Sequence, residues 1–231
     1  MSLLYNPFAK LSKFEWILYF SSLLIVSGGF LLTSSRDYLT LTASLIGVTA
    51  LILVAKGDSW GQILTAVFAV VYAVISWGFR YYGEMITYVG MSAPIAILSV
   101  IEWVRHPYRH TTEVEVSSLT PKKVVKIAVL TALVTFVFYF ILGAFGTNNL
   151  LMSTFSVATS FSASYLMLCR SPYYALAYAA NDIVLIILWV LASIESPDYI
   201  PMVLCFTMFF LNDTYGFINW KRMRRRQSNQ T

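Results

Sequence analysis

Charged residues are scarce in this sequence. Asp, Glu, Lys and Arg make up 12% of its 231 residues, against about 25% in soluble domains. The hydrophobic share is 58% and the mean hydropathy is +0.69, which excludes an ordinary soluble fold. The chain also lacks the alternating segments of about ten residues that build a transmembrane β-barrel. These absences leave an all-α membrane protein.

Histidine and cysteine are also rare, with two of each. His106 and His110 are four residues apart, but Pro107 disfavours the continuous helix that would bring both onto one metal-binding face. The sequence contains no HExxH, GxSxG or phosphate-binding loop motif. Cys169 and Cys205 fall within or at the ends of apolar segments, where we expect packing rather than a disulfide. We therefore predict no enzyme activity, no bound metal and no cofactor.

Eight apolar segments are each long enough to cross a ~30 Å hydrocarbon core as a helix. The connectors between them are short except for residues 105–120, RHPYRHTTEVEVSSLT, which we expect to be solvated. The predicted fold class is therefore an all-α polytopic membrane protein with eight transmembrane helices. The predicted spans are residues 15–32, 38–55, 60–79, 82–103, 121–142, 150–169, 172–193 and 199–220.

The basic residues predict the orientation of these spans, because cytoplasmic loops carry the excess of Lys and Arg. With the N-terminus inside, 14 of the 16 basic residues fall on the cytoplasmic face, and only Arg36 and Arg80 fall outside. An even number of spans places both termini in the cytoplasm. The net charge of +5 then reflects topology and contact with anionic membrane lipids rather than nucleic-acid binding.

The chain resembles itself when it is displaced by 117 residues. The displacement covers four spans, an even number, so both copies cross the membrane in the same direction. In transporters with such parallel repeats, the solute binds between the halves near the midplane. The coinciding residues are Tyr72 with Trp189, Ser76 with Ser193, Tyr82 with Tyr199, Ile101 with Ile218, Trp103 with Trp220, and Arg105 with Arg222.

This repeat predicts an extra N-terminal helix followed by a 3+1+3 bundle with a parallel internal repeat. The first and second three-helix units are joined by a single linking helix. The predicted parts are residues 1–36 (N-terminal tail and additional helix), 37–105 (first unit), 106–148 (cytoplasmic loop and linking helix), 149–220 (second unit) and 221–231 (basic cytoplasmic tail).

The seventh span carries polar residues near its middle. Asn181 and Asp182 lie ~15 Å along this span, close to the midplane. Tyr174, Tyr178 and Asn181 share one helical stripe, which Trp189 continues toward the outer end. An ionisable residue inside a membrane suggests a functional site facing the bundle interior, although helix–helix hydrogen bonding is the alternative. We predict a solute-binding site here.

Three further residues extend this prediction. Asn212 and Asp213 lie about two-thirds of the way inward along the eighth span, where they would line the inner exit. Tyr72 lies within the third span. Aromatic faces attract flat rings and cations, so the carboxylates among these aromatic residues favour a flat, positively charged solute.

At this point the sequence resembles a known family. The segments SPYYALAYAANDIVLIILW (171–189), PMVLCFTMFFLNDTYGFINWKR (201–222), YYGEMITYVG (81–90) and IEWVRH (101–106) are similar to the PnuC family of bacterial vitamin transporters. The resemblance covers about 180 residues, from the second span to the tail. It implies a SWEET-like bundle, a homotrimer in the bacterial inner membrane, and facilitated diffusion of nicotinamide riboside with trapping by a cytoplasmic kinase.

One departure from the family pattern concerns the substrate. The nicotinamide riboside branch is typified by Trp-x-x-Trp-x-x-x-Asn. The register ending at Asn181 gives Tyr174 and Ala177, and the register ending at Asp182 gives Ala175 and Tyr178. Thiamine, another flat cation, therefore stays open as the solute. So do proton- or sodium-coupled uptake and a role as one subunit of a larger transporter.

Overall fold

The computed structural model describes residues 5–31, 38–78, 82–109, 111–147 and 149–229. Within them, eight helices are long and apolar enough to cross a membrane, so the predicted all-α polytopic fold is confirmed. Arg36, Arg80 and His110 lie outside the described residues. The helices are α1 Lys13–Leu31, α2 Tyr38–Ala55, α3 Ser59–Gly78, α4 Tyr82–Thr87, α5 Ala93–Arg105, α6 Pro121–Ala144, α7 Leu150–Leu168, α8 Tyr173–Glu195 and α9 Ile200–Ser228.

Helices α4 and α5 form one span that is interrupted by a π-helical turn, Tyr88–Ser92. Pro94 follows this turn directly, at the start of α5. Proline has no amide hydrogen, so the regular helical ladder cannot continue through it. Such turns are frequent at functional sites. This one directs Tyr88 toward α3, where the ring contacts Tyr72.

The helices pack as two groups. In one group α2 packs on α3 and α3 packs on α5, and in the other α7 packs on α8 and α8 packs on α9. The two groups meet through the pairs α2–α9 and α5–α7. Helix α6 packs on α7 and is otherwise mostly exposed, and α1 lies against α2 and α9. The core therefore lies between the two groups.

A glycine permits the close approach of α2 to α9. A Cβ atom at Gly47 would lie 2.6 Å from the ring of Phe209 and 3.2 Å from that of Phe68. Small residues are common at helix contacts in membrane proteins. In lipid there is no hydrophobic driving force between helices, so their association depends on the close van der Waals packing that small residues permit. Phe209 belongs to a buried cluster with Val48, Leu185 and Phe206.

One end of the bundle, which we name the basic end, brings together the N-terminal segment, the α2–α3 turn, residues 106–118, the α7–α8 turn and the C-terminal part of α9. Lys10 Nζ donates to Thr112, and Arg226 binds the carboxylate of Glu113. Arg170 lies 3.4 Å from the carboxylate of Glu102. These contacts bring Lys10, Arg170 and Arg226 to the same end of the bundle.

Among the described residues of the loop 105–120, most are exposed or half-buried, but Val114 is buried, so the loop is less solvated than the sequence predicts. Val114 is 1% exposed, and its amide donates to the carbonyl of Gly57 at 2.9 Å. Gly57 has a φ of +69°, a left-handed conformation that favours glycine. The Gln227 side chain binds Val114 and Val116, which explains why α9 continues beyond its predicted end at Trp220. Backbone pairing holds this part of the loop against the bundle, and the Val114 side chain packs in a buried cluster with Val54 and Trp220.

The entry of α1 is fixed by a capping box. The amide of Ser12 donates to the Glu15 carboxylate at 2.6 Å, and the amide of Glu15 donates to the Ser12 hydroxyl at 3.3 Å. Glu15 is 1% exposed and also binds Lys56 at 3.1 Å and the Tyr215 hydroxyl. This buried carboxylate therefore joins α1 to α2 and α9.

A second buried carboxylate lies at the basic end, outside the membrane-spanning helices. Burial raises the pKa of Asp58, and hydrogen bonds from Tyr5 and the Trp60 amide oppose that effect. The Tyr5 hydroxyl donates to Asp58 at 2.6 Å. The N-terminal segment is thereby fastened to the α2–α3 turn.

Candidate functional site

A cavity of about 740 Å³ opens at the end of the bundle opposite the basic end. Its mouth lies beside the start of α7 and the end of α8, and its depth reaches Asn181 of α8. Pockets that hold small solutes commonly measure about 300–1,000 Å³. The lining residues are Tyr72, Thr87, Tyr88, Leu142, Phe145, Gly146, Thr147, Asn149, Ser153, Ser156, Val157, Ser160, Asn181, Leu185, Leu188, Trp189, Leu191, Ala192, Ile194, Glu195 and Tyr199.

Aromatic rings form one part of this lining. The ring centroids of Tyr72 and Tyr88 are 4.5 Å apart, and those of Trp189 and Tyr199 are 5.6 Å apart. Tyr72 comes from α3, Tyr88 from the π-helical turn and Trp189 from α8, so three separate elements supply the rings. Their faces offer apolar area and a negative quadrupole to a flat or cationic solute.

Hydroxyl and amide groups form another part. Ser153, Ser156 and Ser160 line the cavity from α7. Asn181 faces them from α8, and its Oδ1 accepts hydrogen bonds from Ser156 at 3.3 Å and Thr159 at 2.8 Å. The cavity is therefore aromatic in one part and hydrogen-bonding in another.

The charge of the described lining comes from a single residue. Glu195 lies exposed at the mouth, and no Lys, Arg or His is present among the described lining residues. A carboxylate at the entrance raises the local concentration of cations and repels anions. The electrostatics therefore favour a neutral or positively charged solute.

Asp182 lies beside Asn181 in the chain but turns away from the cavity. It is 3% exposed and faces Asp213 of α9, which is also 3% exposed. Its Oδ2 atom has no partner among the described residues. The carboxyl pair thus lies between α8 and α9, behind the wall of the cavity.

The two predicted tyrosines of α8 lie on the path from Asn181 toward the basic end. The hydroxyl groups of Tyr178 and Ser164 are 2.8 Å apart. Tyr174 is 1% exposed, and its ring packs against Trp220 with centroids 4.9 Å apart. Neither tyrosine lines the cavity in this conformation.

Asn212 has a different environment. Its Nδ2 donates to the Ser22 hydroxyl at 3.0 Å and to the carbonyl of Met208 at 2.8 Å. Because Ser22 belongs to α1, this side chain joins α9 to α1. Of the eight predicted site residues, the structure therefore brings Asn181, Trp189 and Tyr72 to the cavity and places the other five deeper in the bundle.

Two tryptophans close the bundle at the basic end. The rings of Trp103 and Trp220 are in contact, with centroids 5.4 Å apart, and both are almost fully buried. Trp103 Nε1 donates to the Met167 carbonyl at the end of α7 at 3.2 Å. Trp220 Nε1 donates to the Val54 carbonyl at the end of α2 at 2.9 Å. Each tryptophan thus binds the helix group to which it does not belong.

Comparison with known proteins agrees with this architecture. A family model described as nicotinamide mononucleotide transporter matches residues 37–222 of the chain. The chain belongs to this family. Two curated proteins named nicotinamide riboside transporter PnuC are each 25% identical to it. The protein from Neisseria mucosa matches over 199 residues, which cover 84% of this chain and 76% of that protein. The protein from Haemophilus influenzae matches over 192 residues, which cover 82% of each.

A solved structure shows the same fold. The crystal structure of the vitamin B3 transporter PnuC matches with a TM-score of 0.82 at 24% identity, covering 95% of both chains. The PnuC-type resemblance predicted from the sequence is confirmed by the family model and the curated relatives. Since the relatives are transporters and not enzymes, the prediction of a multi-pass membrane transporter is confirmed as well.

The family motif can be located on this geometry. In the register that ends at Asn181, the asparagine of the motif coincides with a residue that lines the cavity. In the register that ends at Asp182, it coincides with a carboxyl group that faces α9. The Asn181 register leaves Ala177 in place of one aromatic residue. Tyr72, Tyr88 and Trp189 supply aromatic surface to the cavity from other positions.

Sequence reasoning missed several residues of the site. The serines of α7 line the cavity, and the hydroxyl-rich segment LLMSTFSVATS (150–160) was the available signal. Tyr88 was also missed, because a regular helix through Pro94 does not reveal the π-helical turn that directs it toward Tyr72. Trp103 and Trp220 coincide in the internal repeat, but a tryptophan at the end of a span is also typical of the membrane interface, so the sequence does not reveal their contact.

Proposed function

We propose that this chain takes up nicotinamide riboside, a form of vitamin B3, through the cavity that ends at Asn181. The observation that carries the proposal is the division of the cavity into an aromatic part and a hydroxyl and amide part. A pyridinium ring suits the aromatic part, where cation–π attraction reaches ~2 kcal/mol when desolvated. Ribose hydroxyls suit the serines and Asn181. The names of the curated relatives support the same solute.

The charge of the lining favours the riboside over the mononucleotide that the family description names. A phosphate group is normally bound by Arg or Lys through charge-assisted hydrogen bonds. No such side chain is among the described lining residues, and the Glu195 carboxylate at the mouth repels an anion. The unphosphorylated nucleoside is therefore the solute.

The eight predicted residues take three roles in this proposal. Asn181, Trp189 and Tyr72 contact the solute in the cavity, through the amide and the ring faces. Tyr174, Tyr178, Asp182 and Asp213 form the deeper part of the route and meet the solute after the basic end opens. Asn212 is bound to Ser22 of α1, so it supports α9 beside this route.

The chain works by rocking of two three-helix units in a 3+1+3 arrangement with a parallel repeat. Support comes from the packing, since α2 meets α9 and α5 meets α7, which are equivalent pairs under the displacement of four spans. The reciprocal hydrogen bonds of Trp103 and Trp220 follow the same relation. Release requires these two bonds to break while the opposite end closes.

The basic end faces the cytoplasm, with both termini there, and the chain lies in a bacterial inner membrane as a homotrimer. Transport is facilitated diffusion, and a separate cytoplasmic kinase traps the nucleoside as a phosphate. The kinase is separate because the sequence contains no phosphate-binding loop motif. Chemical crosslinking in membranes measures the oligomeric state.

One observation favours a second candidate, proton-coupled uptake of thiamine or another flat cation. Asp182 and Asp213 are both 3% exposed and lie next to each other between α8 and α9, and buried carboxyl groups within membrane spans are typical of proton relays. Coupled uptake into vesicles stops when ionophores collapse the pH gradient and the membrane potential. Facilitated uptake continues until the solute concentrations are equal.

Ligand-induced stabilisation of the purified protein tests the solute. A ligand that binds only the folded state stabilises it by ~2.7 kcal/mol at about a hundredfold excess over Kd, which raises Tm by several degrees. We expect this rise with nicotinamide riboside and not with nicotinamide mononucleotide, thiamine or riboflavin. A rise with thiamine alone would overturn the proposed solute and retain a vitamin transporter.

A further inference from the structure

A groove of about 890 Å³ runs along the outer surface of the bundle between α6 and α7. Because α6 packs mainly on α7 and only 11% of its span is buried, this groove faces the membrane. The solute cavity lies on a different face of α7, which carries Ser156 and Ser160, so the two spaces are separate. We name the first one the α6–α7 groove. Its α7 wall is a stripe at intervals of four residues, namely Thr154, Ala158, Ser162 and Leu166.

The hydroxyl groups of the α6–α7 groove are mostly bound within the protein. Ser162 and Thr154 each donate to the backbone carbonyl four residues earlier in α7, at 2.8 and 2.7 Å. Since Ser162 uses its proton in this bond, it accepts from Thr131 of α6 at 3.0 Å. Thr135 Oγ1 is buried without a partner among the described residues. The surface that remains exposed in the groove is apolar, and it suits a hydrocarbon chain rather than a polar ligand.

The groove is longer than one leaflet of a bilayer is deep. On α6 it extends from Val124 to Tyr139, which is ~22 Å along the helix axis at ~1.5 Å per residue. A hydrocarbon core of ~30 Å gives each leaflet ~15 Å. Leu119 and Tyr173 line the end of the groove that lies at the basic end. An acyl chain that enters there is thus accommodated over the full depth of its leaflet.

Helix α6 begins with a concentration of positive charge. The lysines in its first two turns are Lys122, Lys123 and Lys126. The first turn contains no acidic residue, although the N-terminal end of a helix favours anions through its dipole. Two carboxylates of the basic end, those of Glu102 and Glu115, are bound to Arg170 instead. Within the described part of the chain, no ion pair neutralises the lysines of α6.

Lysines lie on both sides of the entrance to the groove. On the α7 side, Lys126 is next to Ile127 of the lining, and its Nζ lies 5.9 Å from the centre of the Tyr165 ring. On the α8 side, Lys221 Nζ of α9 lies 4.8 Å from the ring centre of Tyr173 and donates to its hydroxyl at 3.3 Å. Tyr173 itself lines the groove. Ammonium groups from two different helices therefore flank the entrance.

Apolar length and positive charge together indicate the occupant. Basic pockets between membrane helices bind the headgroups of anionic lipids, and ammonium groups donate to phosphate oxygens. A zwitterionic lipid carries its own cation, which these lysines repel. We propose that the α6–α7 groove binds one anionic phospholipid, with its phosphate at Lys126 and Lys221 and an acyl chain along α6. This site does not depend on which solute the chain carries.

Competition between two lipids tests this site. The purified protein in detergent is mixed with equal amounts of phosphatidylglycerol and phosphatidylcholine that have the same acyl chains, and native mass spectrometry counts the lipids that remain bound. We expect phosphatidylglycerol to be retained about tenfold or more over phosphatidylcholine and to raise the Tm by several degrees. Lys126→Gln combined with Lys221→Gln weakens phosphatidylglycerol binding about fivefold for each lysine removed.

The charge variant has a matched control, Lys13→Gln combined with Arg222→Gln. Both residues are exposed, and the pair removes the same number of positive charges. Lys13 begins α1, which packs on α2 and α9, and Arg222 lies near Tyr215, which binds Glu15 of α1. These charges lie away from α6, so the control retains phosphatidylglycerol as the wild type does.

A variant of the groove itself tests the position of the acyl chain. Ala132 lines the groove from α6 and is exposed, so Ala132→Phe fills the groove without disturbing a buried contact. We expect it to retain severalfold less phosphatidylglycerol than the wild type. Leu133→Phe is its matched control, because Leu133 is 57% exposed on the same helix and lies outside the groove lining. Folding of each variant is checked by size-exclusion chromatography and by Tm without added lipid.

Four results overturn the site. Equal retention of the two lipids shows ordinary boundary lipid only. An equal loss in the two charge variants shows a diffuse attraction to the basic end. Wild-type retention in Ala132→Phe shows that the acyl chain lies elsewhere. A changed oligomeric mass in Ala132→Phe, with wild-type lipid retention, shows that a second copy of this chain occupies the groove.

Discussion

The contact between Trp103 and Trp220 makes a specific prediction about how the basic end opens. Trp220 Nε1 donates to the Val54 carbonyl at 2.9 Å, so α9 of one helix group is tied to α2 of the other. Trp220→Phe keeps a ring beside Trp103 and deletes only the N–H donor together with part of the ring. We expect this variant to open toward the basic end more often than the wild type.

The magnitude follows from one buried hydrogen bond. A neutral bond contributes about 0.5–1.5 kcal/mol net. The Val54 carbonyl keeps a second hydrogen bond, from the Gly57 amide at 2.9 Å, so the closed state of the variant loses only the value of the deleted bond relative to the open state. This change increases the open population about 2- to 13-fold. Adding Trp103→Phe increases it further, but not additively, because the two rings are in contact.

Cysteine labelling measures this population. Ser164 is 4% exposed and lies one turn of α7 farther from the basic end than the tryptophan contact. Ser164→Cys in a background of Cys169→Ser and Cys205→Ala is therefore reached from the basic end only when that end opens. In vesicles that expose this end, a membrane-impermeant maleimide labels the Trp220→Phe variant about 2- to 13-fold faster than its parent.

Trp77→Phe is the control for this comparison. Trp77 is 62% exposed, far from the basic end, so its loss leaves the labelling rate unchanged. An unchanged rate in Trp220→Phe would refute the role of this contact as a barrier. An equal increase in both variants would indicate general loosening of the bundle.

Three further substitutions test separate parts of the structure. Asn181→Ala removes the amide at the end of the cavity; we expect KM for nicotinamide riboside uptake to rise about tenfold, the value of one lost hydrogen bond of ~1.4 kcal/mol, while the maximal rate changes little. Glu15→Gln weakens the buried contact with Lys56 and lowers the free energy of unfolding by about 1–2 kcal/mol, which is measured as a lower Tm. Tyr5→Phe removes a hydrogen bond to Asp58, whose pKa in the folded protein is already raised by burial. Without this bond the pKa of Asp58 in the folded protein rises further. The Tm deficit of the variant is therefore largest near pH 7, and it shrinks as acid protonates Asp58 in the folded and the unfolded protein.

Each of these predictions has its own contradicting result. Wild-type KM in Asn181→Ala would remove the amide from the solute site. A Tm loss in Glu15→Gln no larger than that of Asp198→Asn, which alters an exposed carboxylate, would show that burial of Glu15 contributes nothing. A Tm deficit in Tyr5→Phe that is constant from pH 4 to pH 7 would show that Asp58 is not involved.

The spans were predictable because apolar length alone determines them. A helix must satisfy its own backbone in lipid, so a run of about twenty apolar residues has few alternatives. The same reasoning fails at the end of α9. Basic residues follow Trp220, but Met223 and Gln227 are buried against residues 113–116, and this contact depends on how a loop distant in the sequence folds back on the bundle.

The site could be predicted to the level of one helix but not to the level of side-chain direction. Asn181 and Asp182 are neighbours at the same depth, and a rotation of about 100° separates their side chains. That rotation puts the amide in the cavity and the carboxyl group against Asp213. It is determined by packing of α8 between α7 and α9, which no local pattern encodes. The contribution of Tyr88 depends in the same way on a π-helical turn.

Uptake by purified protein in liposomes tests the central claim most directly. With radiolabelled nicotinamide riboside outside and no ion gradient, the account predicts saturable uptake that stops when the inner and outer concentrations are equal. Unlabelled nicotinamide riboside competes with it, and nicotinamide mononucleotide does not, because the described lining of the cavity contains no basic side chain. Absence of uptake without an ion gradient, or equal competition by the mononucleotide, would contradict the account.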